Sequence, residues 1–278
     1  MNVISYLLAN EADHFALWVI DVVYVALLGL LFGSFASAII HRVPKGVSWV
    51  SERSKCGSCK NVLKSYDLIP VFSWLFNGGK CRVCGAQVSA IYPVLELCSA
   101  LVCVLILLFS SEPILQRYIL IFAFPIILSL AVIDLQHKIL PNSLMIILAC
   151  FALLSVCLAA YQNGDYSILL FNHALGAAVF GGFSLLLGMG MEKLRGKQAL
   201  GMGDVKFFAV AGLWLGLPYF GVFCILSGIF GVFLGLVWRV VTKEQYFPFG
   251  PALILSFLLI LILRGSFFFE KALHYFVL

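Results

Sequence analysis

Two aspartates lie in apolar stretches where an ionisable side chain is costly: Asp134 in Ile133-Asp134-Leu135, and Asp204 closing Gly201-Met202-Gly203-Asp204. Two carboxylates brought together in a low-dielectric site do not both ionise easily, so one holds a proton while its neighbour stays charged. Such a pair can cleave a peptide bond. The charged member takes a proton from water, and the neutral member polarises the scissile carbonyl. The glycines at 201 and 203 remove side-chain bulk beside Asp204, which leaves room for a substrate strand or a partner helix. An aspartate at a helix start also serves as an N-cap, so the GxGD tetrapeptide alone does not define a catalytic site.

A second constellation is Cys56, Cys59, Cys81 and Cys84, two CxxC pairs with 21 residues between them. Two such knuckles place four thiolates for tetrahedral zinc, at a spacing just beyond the usual zinc-ribbon window. Disulfide pairing is the competing use, but a reducing cytoplasm opposes it. With all four ligands from protein no position is left open for catalysis, and a segment this short needs a staple, so the expected metal is structural. Cys98, Cys103, Cys150, Cys157 and Cys224 sit singly in apolar runs, where they act as small hydrophobes.

Other residues carry two readings. Glu96, just inside an apolar run after Tyr92-Pro93, is either a functional intramembrane carboxylate or a structural one paired to a neighbour such as Arg82. Gly33-Ser34-Phe35-Ala36-Ser37 either lets helices pack closely or serves function. His137 has no Ser or Cys to complete a triad and reads as interfacial. Asn142 or Ser143 could cap the helix after Pro141. Lys206 reads as an interface anchor, and glycines 176, 181, 182, 188 and 190 as sites of close helix packing. Pro248-Phe249-Gly250-Pro251 breaks the backbone at a span entrance and is expected to border the site of Asp134 and Asp204.

The elements that position these residues follow from composition. With 278 residues, 63% hydrophobic and 11% charged, the chain is too apolar for a soluble domain. Met1 to Phe15 carry acids and no Lys or Arg, unlike the basic start of a cleavable signal peptide, so the run Leu17 to Ile40 reads as a retained span. Runs follow at 91–109, 116–135, 143–161, 168–190 and 248–264. The run 205–241 is too long for one crossing and contains the turn Gly216-Leu217-Pro218. The expectation is an all-α polytopic membrane protein of about eight transmembrane helices, with a small cytoplasmic four-Cys zinc-binding insert between helices 1 and 2. Its divisions are 1–40, 41–90 and 91–278. Loops at 41–90, 136–142, 191–206 and 239–247 hold 15 of the 18 Lys and Arg, leaving Arg117, Arg264 and Lys271 opposite. The positive-inside rule then puts both termini outside and both aspartates at the cytoplasmic face. The net charge of +5 is accounted for by topology and calls for no nucleic acid.

Taken in order, GSFASAIIHRVP, the CxxC knuckles, GGKCRVCGAQVSAIYPVLEL, AVIDLQHKILPN, GMGDVK and PFGP resemble the bacterial type 4 prepilin peptidases from Gly33 to Pro251. The resemblance implies an inner-membrane GxGD-type aspartic endopeptidase with Asp134 and Asp204 as the dyad. It would remove the basic leader of prepilins and pseudopilins of pilus and secretion machines, cutting after glycine at the cytoplasmic face. Many members also methylate the new amino group with S-adenosylmethionine, an activity associated with the cysteine-bearing part. Ala36-Ser37, Gly57 and Ala90-Ile91 depart from the family pattern, and no glycine-rich loop marks a place for the methyl donor. A peptidase without methyltransferase activity, a transport protein with intramembrane aspartates, and a noncatalytic assembly factor fit the same residues.

Overall fold

The computed structural model describes residues 12–164, 166–196, 200–243, 247–266 and 271. Most of the acidic N-terminal stretch therefore lies outside the described residues. Among those described there are helices, turns and two isolated bridges, and no strand. The α-helices are α1 (Ala12–Arg42), α2 (Phe72–Phe76), α3 (Ile91–Phe109), α4 (Ile114–His137), α5 (Asn142–Asn163), α6 (Tyr166–Arg195), α7 (Met202–Leu215), α8 (Phe220–Thr242) and α9 (Gly250–Leu263).

Six of these, α1, α3, α4, α5, α6 and α8, are long and apolar enough to cross a membrane. The protein is thus a multi-pass membrane protein. The other two helices expected as spans, α7 and α9, have 14 residues each. At about 1.5 Å per residue they reach about 21 Å, short of a hydrocarbon core of about 30 Å. The run 205–241 breaks at Gly216 to Tyr219, where the sequence marks a turn, and this leaves α7 short.

The chain divides into two compact units. The first holds α1, α2, α3, the segment between α1 and α3, and Phe124–Ser129 of α4. Here α1 lies against α3 because small residues let the backbones meet: a Cβ on Gly33 would stand 2.4 Å from Glu96 Cα. The packing reading of the Gly33–Ser37 stretch therefore holds at Gly33.

The second unit contains Ser110–Ala123 and the chain from Leu130 onward. In it α6 and α7 touch at Gly176 and Gly212, where a Cβ on either would fall within 2.6 Å of the other's carbonyl oxygen. Gly182 and Gly190 meet nothing within 4 Å, so the close-packing expectation fails there. The chain turns at Gly216, whose φ of +83° disfavours any side chain. A helix end leaves its last carbonyls without partners in the helix. For α7 two side chains supply them: Arg264 Nη1 donates to Trp214 O at 3.2 Å, and His173 Nδ1 lies 2.9 Å from Leu213 O. Edge-on rings then pin α7 to α9, with Phe207 and Trp214 each 5.7 Å from Phe257. These contacts fix the helix that starts next to Asp204 against the helix that starts at Gly250.

Candidate active site

Asp134 lies in the last turn of α4, 5% exposed. Its carbonyl accepts the N–H of Lys138, which closes the helix in a left-handed conformation at φ +57°. Its carboxylate Oδ2 accepts the N–H of Gly250, the first residue of α9, at 3.0 Å. A Cβ at 250 would stand 2.5 Å from that same oxygen, so any other residue would force the carboxylate or the turn to move. The PFGP turn, read as a border of the site, thus supplies a hydrogen bond to it.

Asp204 is the third residue of α7, and Gly201 is the N-cap. The Asp204 carboxylate reaches back to the Gly201 amide, so the aspartate does satisfy one helix-start donor. It also feels the charge of Asp134. Both carboxylates line one cleft of about 240 Å³, together with Lys138, Asn142, Gly201 and Lys206. Gly203 keeps this approach narrow, since a Cβ there would meet Leu140 at 3.1 Å. A larger apolar groove of about 650 Å³ runs along α8 from Cys224 to Leu236, but it has no charged residue and reads as lipid-facing surface.

Two expectations change. Neither Asn142 nor Ser143 caps α5; Pro141 is the cap residue, and Asn142 Oδ1 instead accepts Lys206 Nζ at 2.8 Å across the cleft mouth. Lys206 is thereby held by a specific hydrogen-bond partner, and among the described residues no ion pair of it is seen. Glu96 is not paired to Arg82, which lies against Tyr66 and Asp67. The 7% exposed Glu96 accepts the backbone N–H of Val71 at 2.6 Å and a hydrogen bond from Ser34. His137 is exposed at the end of α4, outside the residues that line the cleft.

The four cysteines converge in the first unit, with all their sulfurs within 4.8 Å of one another and none in a disulfide. Cys56 Sγ and Cys84 Sγ are 3.9 Å apart, close to the edge of about 3.8 Å that Zn–S bonds of about 2.3 Å give in a tetrahedron. The two knuckles repeat one geometry: bridges Lys55 to Val62 and Lys80 to Gln87, and left-handed residues at Lys60 and Gly85. The amides of Cys59 and Ser58 draw the Cys56 thiol down to about 6, while at Cys84 the Ala86 amide is outweighed by burial and the neighbouring thiols, which push that thiol up to about 11. The cluster could therefore hold zinc.

Fold and site define a multi-pass helical membrane protein with two carboxylates sharing one cleft and a four-thiol module beside its first span. Residues 27–110 match the bacterial peptidase A24 N-terminal domain, and residues 119–236 match the type IV leader peptidase family. Among curated relatives, the prepilin leader peptidase/N-methyltransferase of Pectobacterium carotovorum is 30% identical, covering 87% of this chain and 92% of its own. That of Pseudomonas aeruginosa is 30% identical over 83% and 86%, and that of Dichelobacter nodosus 28% over 85% and 90%. No solved structure matches the chain. The chain belongs to the type IV leader peptidase family.

Proposed function

We propose that this protein is an aspartic endopeptidase that removes the leader of prepilins and pseudopilins, with Asp134 and Asp204 as the catalytic pair. The observation that carries the reading is that two aspartates 70 positions apart line one cleft, with Asp134 held by the Gly250 amide. With one proton on the pair, the ionised carboxylate takes a proton from water as its oxygen bonds to the scissile carbonyl carbon. The protonated one hydrogen-bonds the carbonyl oxygen. The carbon–nitrogen bond then breaks, and the leaving nitrogen takes its proton from the pair.

The relatives' names support a second activity, methylation of the new amino group, with S-adenosylmethionine supplying the methyl group. Cys56, Cys59, Cys81 and Cys84 would hold a structural zinc within a 41–90 module, and residues 91–278 would form the peptidase part. The basic loops support an inner-membrane protein with the cleft at the cytoplasmic face. Incubating the purified protein with a prepilin, with and without S-adenosylmethionine, and weighing the products separates these activities. Loss of the leader mass shows cleavage, a further gain of one methyl shows transfer, and an unchanged substrate returns the protein to a transport or assembly role.

A further inference from the structure

Between α1 and α3 the short helix α2 turns its apolar side outward. Phe72, Leu75 and Phe76, at i, i+3 and i+4, are 50%, 58% and 86% exposed, while Ser73 and Trp74 are only partly so. Phe72 and Phe76 stack on each other at 6.5 Å, and Ile69 just before them is 48% exposed. The opposite side is fastened to the cysteine module by the Trp74 Nε1 bond to Val88 O at 3.0 Å. A helix facing water would have the reverse pattern.

The hydrogen bond from Val71 to Glu96 sets the level at which this helix begins. At about 1.5 Å per residue α3, with 19 residues, is about 28 Å long, so its whole length is needed to span a hydrocarbon core of about 30 Å. Glu96 is its sixth residue, about 7 Å inside one end. Its side chain leans back towards the helix N-terminus, so its carboxylate, and the Val71 amide bonded to it, lie at the acyl–headgroup boundary. Val71 is held there at φ +61°, a region that a β-branched residue rarely enters. The buried carboxylate thus secures a strained turn beside the first turns of α3. The lipid-facing residues of α3's first turns, Val94 and Leu97, are 52% and 53% exposed. Residues 41–90 carry eight Lys and Arg against two acids, which suits anionic headgroups.

We propose that residues 69–76 form a membrane-inserted finger, with Phe72, Leu75 and Phe76 in the outer acyl layer and Glu96 as the anchor that sets its depth. The occupant of this face is lipid. The inference is independent of the peptidase reading.

The test uses the full chain in nanodiscs containing phosphatidylglycerol, with p-benzoylphenylalanine in place of Phe76 and, as a water-facing control, in place of Glu52. Irradiation should attach lipid at 76 and not at 52. A prepilin peptide added in a parallel sample should not divert the adduct. On the unaltered protein in the same discs, hydroxyl-radical oxidation supplies a measurement that no substitution can disturb. Exposure alone (86% against 45%) would make Phe76 react faster than Tyr66. Insertion predicts that Phe76 reacts at least about fivefold more slowly. An adduct at 76 with prepilin in preference to lipid, or oxidation of Phe76 as fast as Tyr66, would overturn the proposal.

Discussion

The N–H of Gly250 donates to Asp134 Oδ2 at 3.0 Å, joining the end of one helix to the start of another 116 residues later. The bond orients one carboxylate of the cleft with a group that cannot titrate and cannot rotate. Gly250→Ala would place a methyl 2.5 Å from that oxygen. The carboxylate or the turn must then shift by about 1 Å, and leader cleavage should fall about 100-fold. Cleavage by the folded variant within twofold of the parent would mean that the orientation of Asp134 is immaterial.

The Gly176–Gly212 contact sets how close α6 and α7 come. Gly212→Ala puts a Cβ 2.4 Å from the Gly176 carbonyl oxygen, and overpacking of this kind costs about 1–3 kcal/mol. A lowered midpoint of thermal unfolding in detergent is expected. Gly182→Ala, in open space within α6, should not lower the midpoint and should raise it slightly.

Arg264→Met tests the cap on the short helix α7. It removes the donor to Trp214 O and the partner of Glu112, 2.7 Å away. Leaving such groups buried and unpaired costs about 1–3 kcal/mol. Stability should fall by that order, and cleavage should fall with it because α7 carries Asp204.

For the cysteine module, metal analysis should find one zinc per chain. Removal of the metal by a chelator should expose four titratable thiols and make residues 41–90 sensitive to protease, because coordination here is largely folding free energy. Methyl transfer should be lost before cleavage. Lys60→Gly should stabilise the module by about 1 kcal/mol, since Lys60 occupies at φ +60° the place that Gly85 fills in the second knuckle. A less protease-resistant Lys60→Gly module would contradict the repeat of geometry between the knuckles.

The sequence was most legible where a residue type is costly. Asp134, Asp204 and the four cysteines stand out against apolar or short surroundings, and Gly216 marks a turn that the structure contains. It was least legible where the partner is backbone. The donor to Glu96 is the Val71 amide, which has no side-chain signature, so Arg82 looked the better candidate. The PFGP turn could be read as a break near the site, but its bond to Asp134 spans 116 residues, beyond any local periodicity. The break at Gly216 was legible, and what it leaves on each side is a matter of length: α7 and α9 hold 14 residues each.

Rate against pH should follow a bell, because the pair works with one proton and fails with none or two. Reagents that modify catalytic serines or cysteines should leave cleavage intact. A rate that rises or falls in one direction only, with the protein folded throughout, would show that a single group suffices.

The most direct measurement is the intact mass of a prepilin after incubation with Asp134→Asn, Asp204→Asn and the double variant, each verified as inserted and folded. Both single variants should leave the leader in place. The double should be no worse than either, since the two carboxylates act as a unit. Substantial release of the leader by either folded single variant would contradict the shared-cleft mechanism and leave Asp204 a helix-start residue only.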